Sequence, residues 1–332
     1  MGDENNKGRV CVTGGSGFVG SWMVKRLLQH GYSVNTTIRM HPEKERDISS
    51  LRNLEGASER LAVFEADLDR PASFAAAIEG CVGVFHVAHP LDFEEREAEQ
   101  VKIERVVNGA VGILQACLDA KTVKRVVYCS STSAAIVINE ETGGVDVIDE
   151  SSWTDVEFVR SLGIFGGPYM VTKTLAEKSV LDFGEKHGLD VVAVLPTWIH
   201  GPFICPYLPD SVSIFMSFIL GKKECYHQLG RTSVVHVDDV VRAHIHLFEN
   251  PEAKGRYIIS NVEITIEKLH EFLSAKYPEY KLPSTDEFAD LKRVTIPSLS
   301  SRKLVESGFN FENGLQEMYD GAIKSCKQIG LL

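Results

Sequence analysis

No Cys-x-x-Cys pair occurs in this chain. Its seven cysteines, at 11, 81, 117, 129, 205, 225 and 326, are odd in number, far apart and mostly set in apolar runs. That pattern excludes a disulfide framework and a thiolate metal site, and reads as free buried thiols in a reducing compartment. No apolar run approaches the roughly 20 residues that a membrane span needs. Basic charge is also scarce: 35 Lys and Arg stand against 46 Asp and Glu, for a formal net charge of -11. Nucleic-acid binding through a basic face is therefore not expected, although a small anionic ligand in a local basic pocket remains compatible. There is no internal repeat and no low-complexity segment. The start, MGDENNKGRV, is polar and acidic. It has no signal-peptide core and no Ser or Thr where a myristoylation signal needs one. A cytoplasmic protein is the expectation.

What is present is an ordinary globular composition, 332 residues with 44% apolar and 24% charged. The first half alternates two patterns. Runs such as RVCVTG, YSVNTTIR, LAVFEADL, GVFHVA, KRVVYCSS and VVAVLPT are strand-like and nearly continuously apolar. Between them lie stretches with helical spacing, including SGFVGSWMVKRLLQHG, PASFAAAIEG and about Glu97 to Lys121. Apolar strands separated by helices predict an α/β fold, a doubly wound parallel sheet covered on both faces. After Thr197 the rhythm breaks into an irregular, mostly helical region. SVVHVDDVVRAHIHLFEN reads as a strand end and a helix returning to the main domain, and RYIISN as one more strand. The expected division is 1–197 plus about 226–255 for the Rossmann domain, with about 198–225 and 256–332 forming a smaller, mostly helical domain.

TGGSGFVG follows the first strand and opens the first helix. Gly14, Gly17 and Gly20 are spaced for a tight turn, close backbone approach to a pyrophosphate, and close helix–strand packing. Free N–H groups and the positive dipole end of the helix then face the phosphates. A glycine-rich connector is the plainer reading, but the strand–turn–helix setting points to a dinucleotide. An acidic residue for the ribose of NAD is expected about twenty residues on. That region holds Arg39 instead, followed by Lys44 and Arg46. A guanidinium pairs with a 2′-phosphate that a carboxylate would repel, which favours NADP(H). The alternative for Arg39 is a solvated surface residue. Asp67, just after the third strand, either accepts from an adenine amino group or caps a helix.

Tyr169 and Lys173 stand four residues apart on a predicted helix, so they share a face. Ser130 and Ser131 end a strand, at the edge where ligands bind in open α/β sheets. A phenol beside an ammonium and an oxidised nicotinamide ring becomes more acidic. Such a phenol can give a proton to a carbonyl oxygen as hydride arrives, with a serine hydroxyl holding the same oxygen. A surface Tyr–Lys pair is the alternative.

These residues, with VCVTGGSGFVGSW, FEADL, SFAAAIEGCVGVFHVA, KTVKRVVY, VTKTLAEK, HVDDVVRAHI and GFNFENGLQEMYDGAI, resemble the extended short-chain dehydrogenase/reductase family. The match is to its plant dihydroflavonol-reductase-like branch, over almost the whole chain. The resemblance implies that Ser131, Tyr169 and Lys173 form the catalytic triad, with Lys173 also holding the nicotinamide ribose. It implies a coenzyme cradle of Gly14, Ser16, Gly17, Phe18, Val19 and Gly20. Arg39 with Lys44 or Arg46 would take the 2′-phosphate, and Asp67 and Leu68 the adenine. Val87 and Ala88 would line the cleft. Pro196, Thr197, Trp198 and Ile199 would pack beside the nicotinamide, and Ser211 would reach the phosphates. His89, Ile136 and Trp198 would face the substrate.

Three positions depart from that pattern. His89 replaces a small Thr or Ser, and His200 replaces a Val. Ile136 stands where dihydroflavonol reductases carry an Asn, which argues against a dihydroflavonol substrate. His89 then either binds substrate, serves as an extra acid near neutral pH, or is a satisfied structural histidine. His200 reads as structural. Cinnamoyl-CoA reductases have a different segment before their lysine, so GGPYMVTK speaks against that branch. His236, His244 and His246, beside Asp238 and Asp239, read as supporting or surface groups; no metal is expected.

The expected function is NADPH-dependent reduction of a C=O or C=N group on a bulky aromatic plant metabolite, isoflavanone-like or alkaloid. Three alternatives stay open. One is NADP-dependent oxidation of an alkaloid hydroxyl. Another is a nucleotide-sugar epimerase or dehydratase, which would need a basic cluster in the tail that is not evident. The third is a non-catalytic NADP sensor, which need not keep the serine, tyrosine and lysine. The expected partner is a small aromatic substrate, on a monomer or weak dimer.

Overall fold

The computed structural model describes residues 7–39, 47–89, 98–137, 147–164, 166–289, 291 and 296–332. Among them twelve strands run in chain order: β1 (Arg9–Thr13), β2 (Ser33–Ile38), β3 (Leu61–Glu65), β4 (Gly83–His86), β5 (Arg125–Cys129) and β6 (Val147–Ile148). They continue as β7 (Val191–Pro196), β8 (Trp198–His200), β9 (Arg231–His236), β10 (Gly255–Ile259), β11 (Val262–Thr265) and β12 (Ser298–Leu299). Seven of them form one sheet in the order β10-β7-β5-β4-β1-β2-β3. Every pairing in it is parallel. This is the doubly wound α/β architecture that the alternating pattern predicts.

The strands are apolar on both faces because both faces are covered. Side chains alternate along a strand. Val10 and Val12 thus join Trp22, Met23 and Leu27 of the helix Phe18–Gln29 and Val240, Val241 and Ile245 of the helix Val237–Glu249. Cys11, between them in sequence, points the other way with Val84, Val126 and Tyr128. That second face packs on Ile113 and Leu114 of the helix Glu99–Ala120 and on Ala176 and Val180 of the helix Gly167–His187. All seven cysteines are free, and six are buried.

A third core gathers Val212, Phe215, Phe218, Tyr226, Leu269, Leu273 and Tyr319 in the smaller layer. A three-stranded sheet, β11-β9-β8, lies in this part of the chain. The stretch from Arg231 thus returns in two ways: β9 joins the small sheet, while the helix after it packs on the large one. β10 belongs to the large sheet, so that sheet runs past residue 255, where the sequence rhythm drew the edge of the main domain.

HVDDVVRAHIH is a structural knot. His236 caps its helix by accepting from the Asp238 N–H. Asp238 accepts from Trp22 Nε1 at 2.7 Å and is ion-paired with Arg26, tying the first helix to this one. Burial alone would raise the Asp238 pKa, but the bonds from Arg26 and Trp22 hold it below the usual aspartate range. Asp239 accepts from Arg242 and from the N–H groups of Glu312 and Asn313. Asp238→Asn is expected to cost about 1–3 kcal/mol at neutral pH. A carboxyl held low in the folded state stabilises above its unfolded pKa, and that stability is lost as pH falls through the folded value. The gap in urea midpoint between wild type and variant should therefore be full at pH 7 and close below about pH 4.

Candidate active site

The strand order reverses between β1 and β4, and ligands of such sheets bind at the carboxyl ends flanking that point. Thr13 braces it. Its Oγ1 lies 2.9 Å from His86 Nδ1 and accepts from the N–H groups of Val87 and Ala88 at 3.0 Å each. Gly14 follows with φ 76°, a conformation that favours glycine. A Cβ there would stand 3.1 Å from the Ala88 backbone. At Gly20 a Cβ would meet the Gly14 carbonyl oxygen at 2.2 Å, so the helix can close on the turn only without one. Gly17 is the residue before the helix, and no side chain caps that end. Gly15, which sequence spacing passes over, is the tightest: a Cβ would lie 1.9 Å from Thr36 Oγ1. Its only signal is the doubled glycine in TGGSG. Phe18 and Val19 pack against the core under the helix, and the Ser16 carbonyl faces the Tyr207 hydroxyl.

Arg39 directly follows β2 and is exposed. Lys44 and Arg46 lie outside the described residues. Asp67 is half-buried at the end of β3, but it caps no helix. Its Oδ1 accepts from the Asp69 N–H at 3.1 Å, and Arg70 precedes the 3₁₀ turn Pro71–Phe74. The carboxylate closes its own turn because the helical segment starts too far along to be reached. Leu68 packs toward Gly109.

The helix Gly167–His187 starts after Gly166, whose φ of 78° breaks the preceding chain, and carries Pro168 in its first turn. Tyr169, Lys173 and Glu177 recur every four residues, on one face. Tyr169 is half-buried, whereas Lys173 and Glu177 are buried. Ser131, at the carboxyl end of β5, hydrogen-bonds the Tyr169 side chain. It also exchanges bonds with Ser133, donating to Oγ and accepting from the N–H at 3.1 Å. Lys173 Nζ donates to the Cys129 carbonyl at 3.1 Å and lies 5.9 Å from the Tyr169 ring centroid.

The protein's own groups do not by themselves acidify the phenol. Burial pushes the Tyr169 pKa up to about 12, and the Ser131 bond opposes this only in part. Lys173 is held in place by a backbone carbonyl and sits over the ring, so it does little for the phenol oxygen in the protein alone. Burial likewise lowers the Lys173 pKa, while Cys129 and Glu177 pull it back up.

Beneath this face lies a network that sequence reading missed. Ser130 Oγ donates to Glu177, whose other oxygen is 2.5 Å from Arg256 Nε. Arg256 in turn caps the Glu150, Ser152 and Ala134 carbonyls and stacks 3.6 Å over Trp153. Glu177 was visible only as one more position on the Tyr–Lys face. Arg256 arrives from the far edge strand β10.

Val87, Ala88 and His89 follow β4 and cross this cleft. Ala88 packs on Gly14, and His89 stands edge-on to Tyr169 with ring centroids 5.7 Å apart. The cradle and the Tyr169 face therefore border one space. Ile136 packs partly against the sheet core. Pro196 ends β7, and Thr197 is locked by bonds to the Ile259 and Ser233 carbonyls. Trp198 is half-buried against Phe215, and Ile199 packs against the main core. Ser211 donates to the Ile199 carbonyl at 2.7 Å, so its hydroxyl is engaged within the protein. His200 is fully buried between Phe215 and Tyr319, with its pKa lowered by burial to about 3, as suits a structural residue. Among the described residues no group of three His, Cys, Asp or Glu side chains is arranged to hold a metal ion. No described helix is long and apolar enough to cross a membrane.

Residues 10–262 match the model of the NAD dependent epimerase/dehydratase family. Vestitone reductase of Medicago sativa is 53% identical over 98% of this chain and 99% of its own length. Noscapine synthase SDR1 of Papaver somniferum is 45% identical over 97% of this chain and 93% of its own. The crystal structure of vestitone reductase from alfalfa superposes with a TM-score of 0.87 at 51% identity, covering 98% of this chain and all of that one. The chain belongs to the NAD dependent epimerase/dehydratase family, in its extended short-chain dehydrogenase/reductase branch, and is an oxidoreductase.

Proposed function

We propose that this protein uses NADPH to reduce a C=O or C=N group on a bulky aromatic plant metabolite, isoflavanone-like or alkaloid. The observation that carries the reading is the meeting of Ser131, Tyr169 and Lys173 at the carboxyl edge of the sheet, beside the glycine turn. The turn fits a dinucleotide: Gly14, Gly15 and Gly20 leave no room for side chains, and the helix end at Gly17 has no side-chain cap. Bound there, a nicotinamide coenzyme supplies the hydride. Tyr169, protonated well past neutral pH, donates a proton to the substrate oxygen or nitrogen. Ser131 steadies that atom. Lys173, on the same helix face as Tyr169, would hold the coenzyme ribose. Half-buried Trp198 and Ile136 give the substrate apolar walls. The same groups serve the reverse direction, with Tyr169 taking the proton back.

Arg39 supports NADP(H) over NAD(H), since it is exposed just after β2, where such folds carry the residue that meets the ribose. Coenzyme oxidation followed with flavanones, isoflavanones and keto or iminium alkaloids tests the whole reading. Turnover of none of them would reject it. Arg39→Ala should raise the KM for NADPH about tenfold and leave that for NADH unchanged, as expected for loss of a charge-assisted contact. Equal use of both coenzymes by the wild type would remove the 2′-phosphate assignment.

A further inference from the structure

The His89 ring meets the Tyr169 ring edge-on, with centroids 5.7 Å apart and planes at 89°. Its Nε2 is sealed from solvent and has no hydrogen-bond partner among the described residues. Native proteins leave few such atoms unpaired, because desolvation without a partner is costly. The neighbouring polar groups are already engaged. Ser131 is bonded to Ser133 and Tyr169, and Lys173 Nζ is bonded to the Cys129 carbonyl. His200 also has unpaired ring nitrogens, but it lies in a closed aromatic shell, not beside the phenol.

Burial, then the Lys173 ammonium and the His86 ring, hold the His89 pKa well below the imidazole range. The ring is neutral at neutral pH and has no spare proton to give as an acid. What remains is one unpaired nitrogen, closed to water, on a half-buried ring that packs edge-on against the proton donor's ring. We infer that His89 Nε2 is a specificity-determining contact that pairs with a hydroxyl of the substrate near its reacting carbonyl, selecting ketones that carry this hydroxyl over those that lack it. The inference rests on the reductase reading above. A hydroxyl both donates and accepts, so it satisfies Nε2 in either tautomer. A substrate with only hydrocarbon there leaves Nε2 buried and unpaired, and is rejected.

The test uses the full chain with NADPH and pairs of flavanones or isoflavanones that differ by one hydroxyl. Wild type is expected to favour the hydroxylated member of at least one pair by about 10- to 100-fold in kcat/KM. His89→Phe keeps a ring against Tyr169 and should bring that ratio close to one. His89→Gln keeps a hydrogen-bonding head and should retain most of it. NADP+ affinity should be the same in all three. Their pH profiles from about 5.5 to 8 should share the same ionisations, because a neutral His89 does not titrate there. Circular dichroism checks folding, and His89→Leu replaces any Phe variant that does not fold. The inference is overturned if wild type turns over the ketones but favours no hydroxylated member. It is equally overturned if the preference survives in His89→Phe, or if an ionisation near neutrality disappears with the histidine. If wild type turns over no ketone at all, this inference falls, and turnover of the iminium alkaloids then decides separately whether the proposed function stands.

Discussion

Tyr169→Phe lowers turnover by about 10²–10⁴-fold, the range for loss of a positioned general acid. Phenylalanine keeps the ring and its contact with His89, so the cleft retains its shape. Only the oxygen goes, and with it the bond to Ser131. Coenzyme affinity, measured by quenching of protein fluorescence, should change little. The glycine turn and Lys173 are separate structures, the lysine being held by the Cys129 carbonyl. The pKa near 12 sharpens the expectation. A phenol that stays protonated across neutral pH is ready to donate, so the rate of reduction should not fall through its deprotonation anywhere near pH 7. A variant with wild-type turnover would show that another group supplies the proton.

Glu177→Ala is expected to destabilise the fold by about 3–5 kcal/mol. Glu177 is fully buried and its partner Arg256 nearly so, with side-chain exposures of 0% and 6%. Burial raises the Glu177 pKa, while Arg256 and the Ser130 hydroxyl pull it down, so the ionised form depends on those partners. Removing the carboxylate strands a guanidinium in the interior and takes a negative charge away from the buried Lys173. That costs more than the pair itself contributes. Replacing Glu177 and Arg256 together with Met should therefore cost less than Glu177→Ala, because the guanidinium is removed along with its partner. Urea unfolding of Glu177→Ala and of the double variant measures the difference. A Glu177→Ala midpoint matching wild type would contradict it. The variant should also lose activity beyond its loss of stability, since Ser130 precedes Ser131 and Arg256 holds the Ala134 carbonyl just after it.

Several features were legible because they are local. The glycine turn, apart from Gly15, is legible from spacing in its strand–turn–helix setting, since Gly14 at φ 76° and Gly20 against the Gly14 carbonyl are constraints of one short backbone stretch. The shared face of Tyr169 and Lys173 follows from helical periodicity. The doubly wound sheet follows from apolar strands alternating with helices, which need cover on both sides. Asp67 was half legible. Its place after β3 was clear, but its choice between helix cap and turn depended on where the 3₁₀ segment began.

By itself the sequence determined which elements form and which chemical groups sit on each, because hydrophobic period, turn chemistry and helical spacing are short-range. Only the tertiary structure decided which distant groups meet: His89 against Tyr169, Glu177 against Arg256, Thr13 across to His86. It also decided how much water each group loses. Burial outweighed the Ser131 hydroxyl in setting the Tyr169 pKa, and desolvation is a property of the whole packed interior rather than of any stretch of chain.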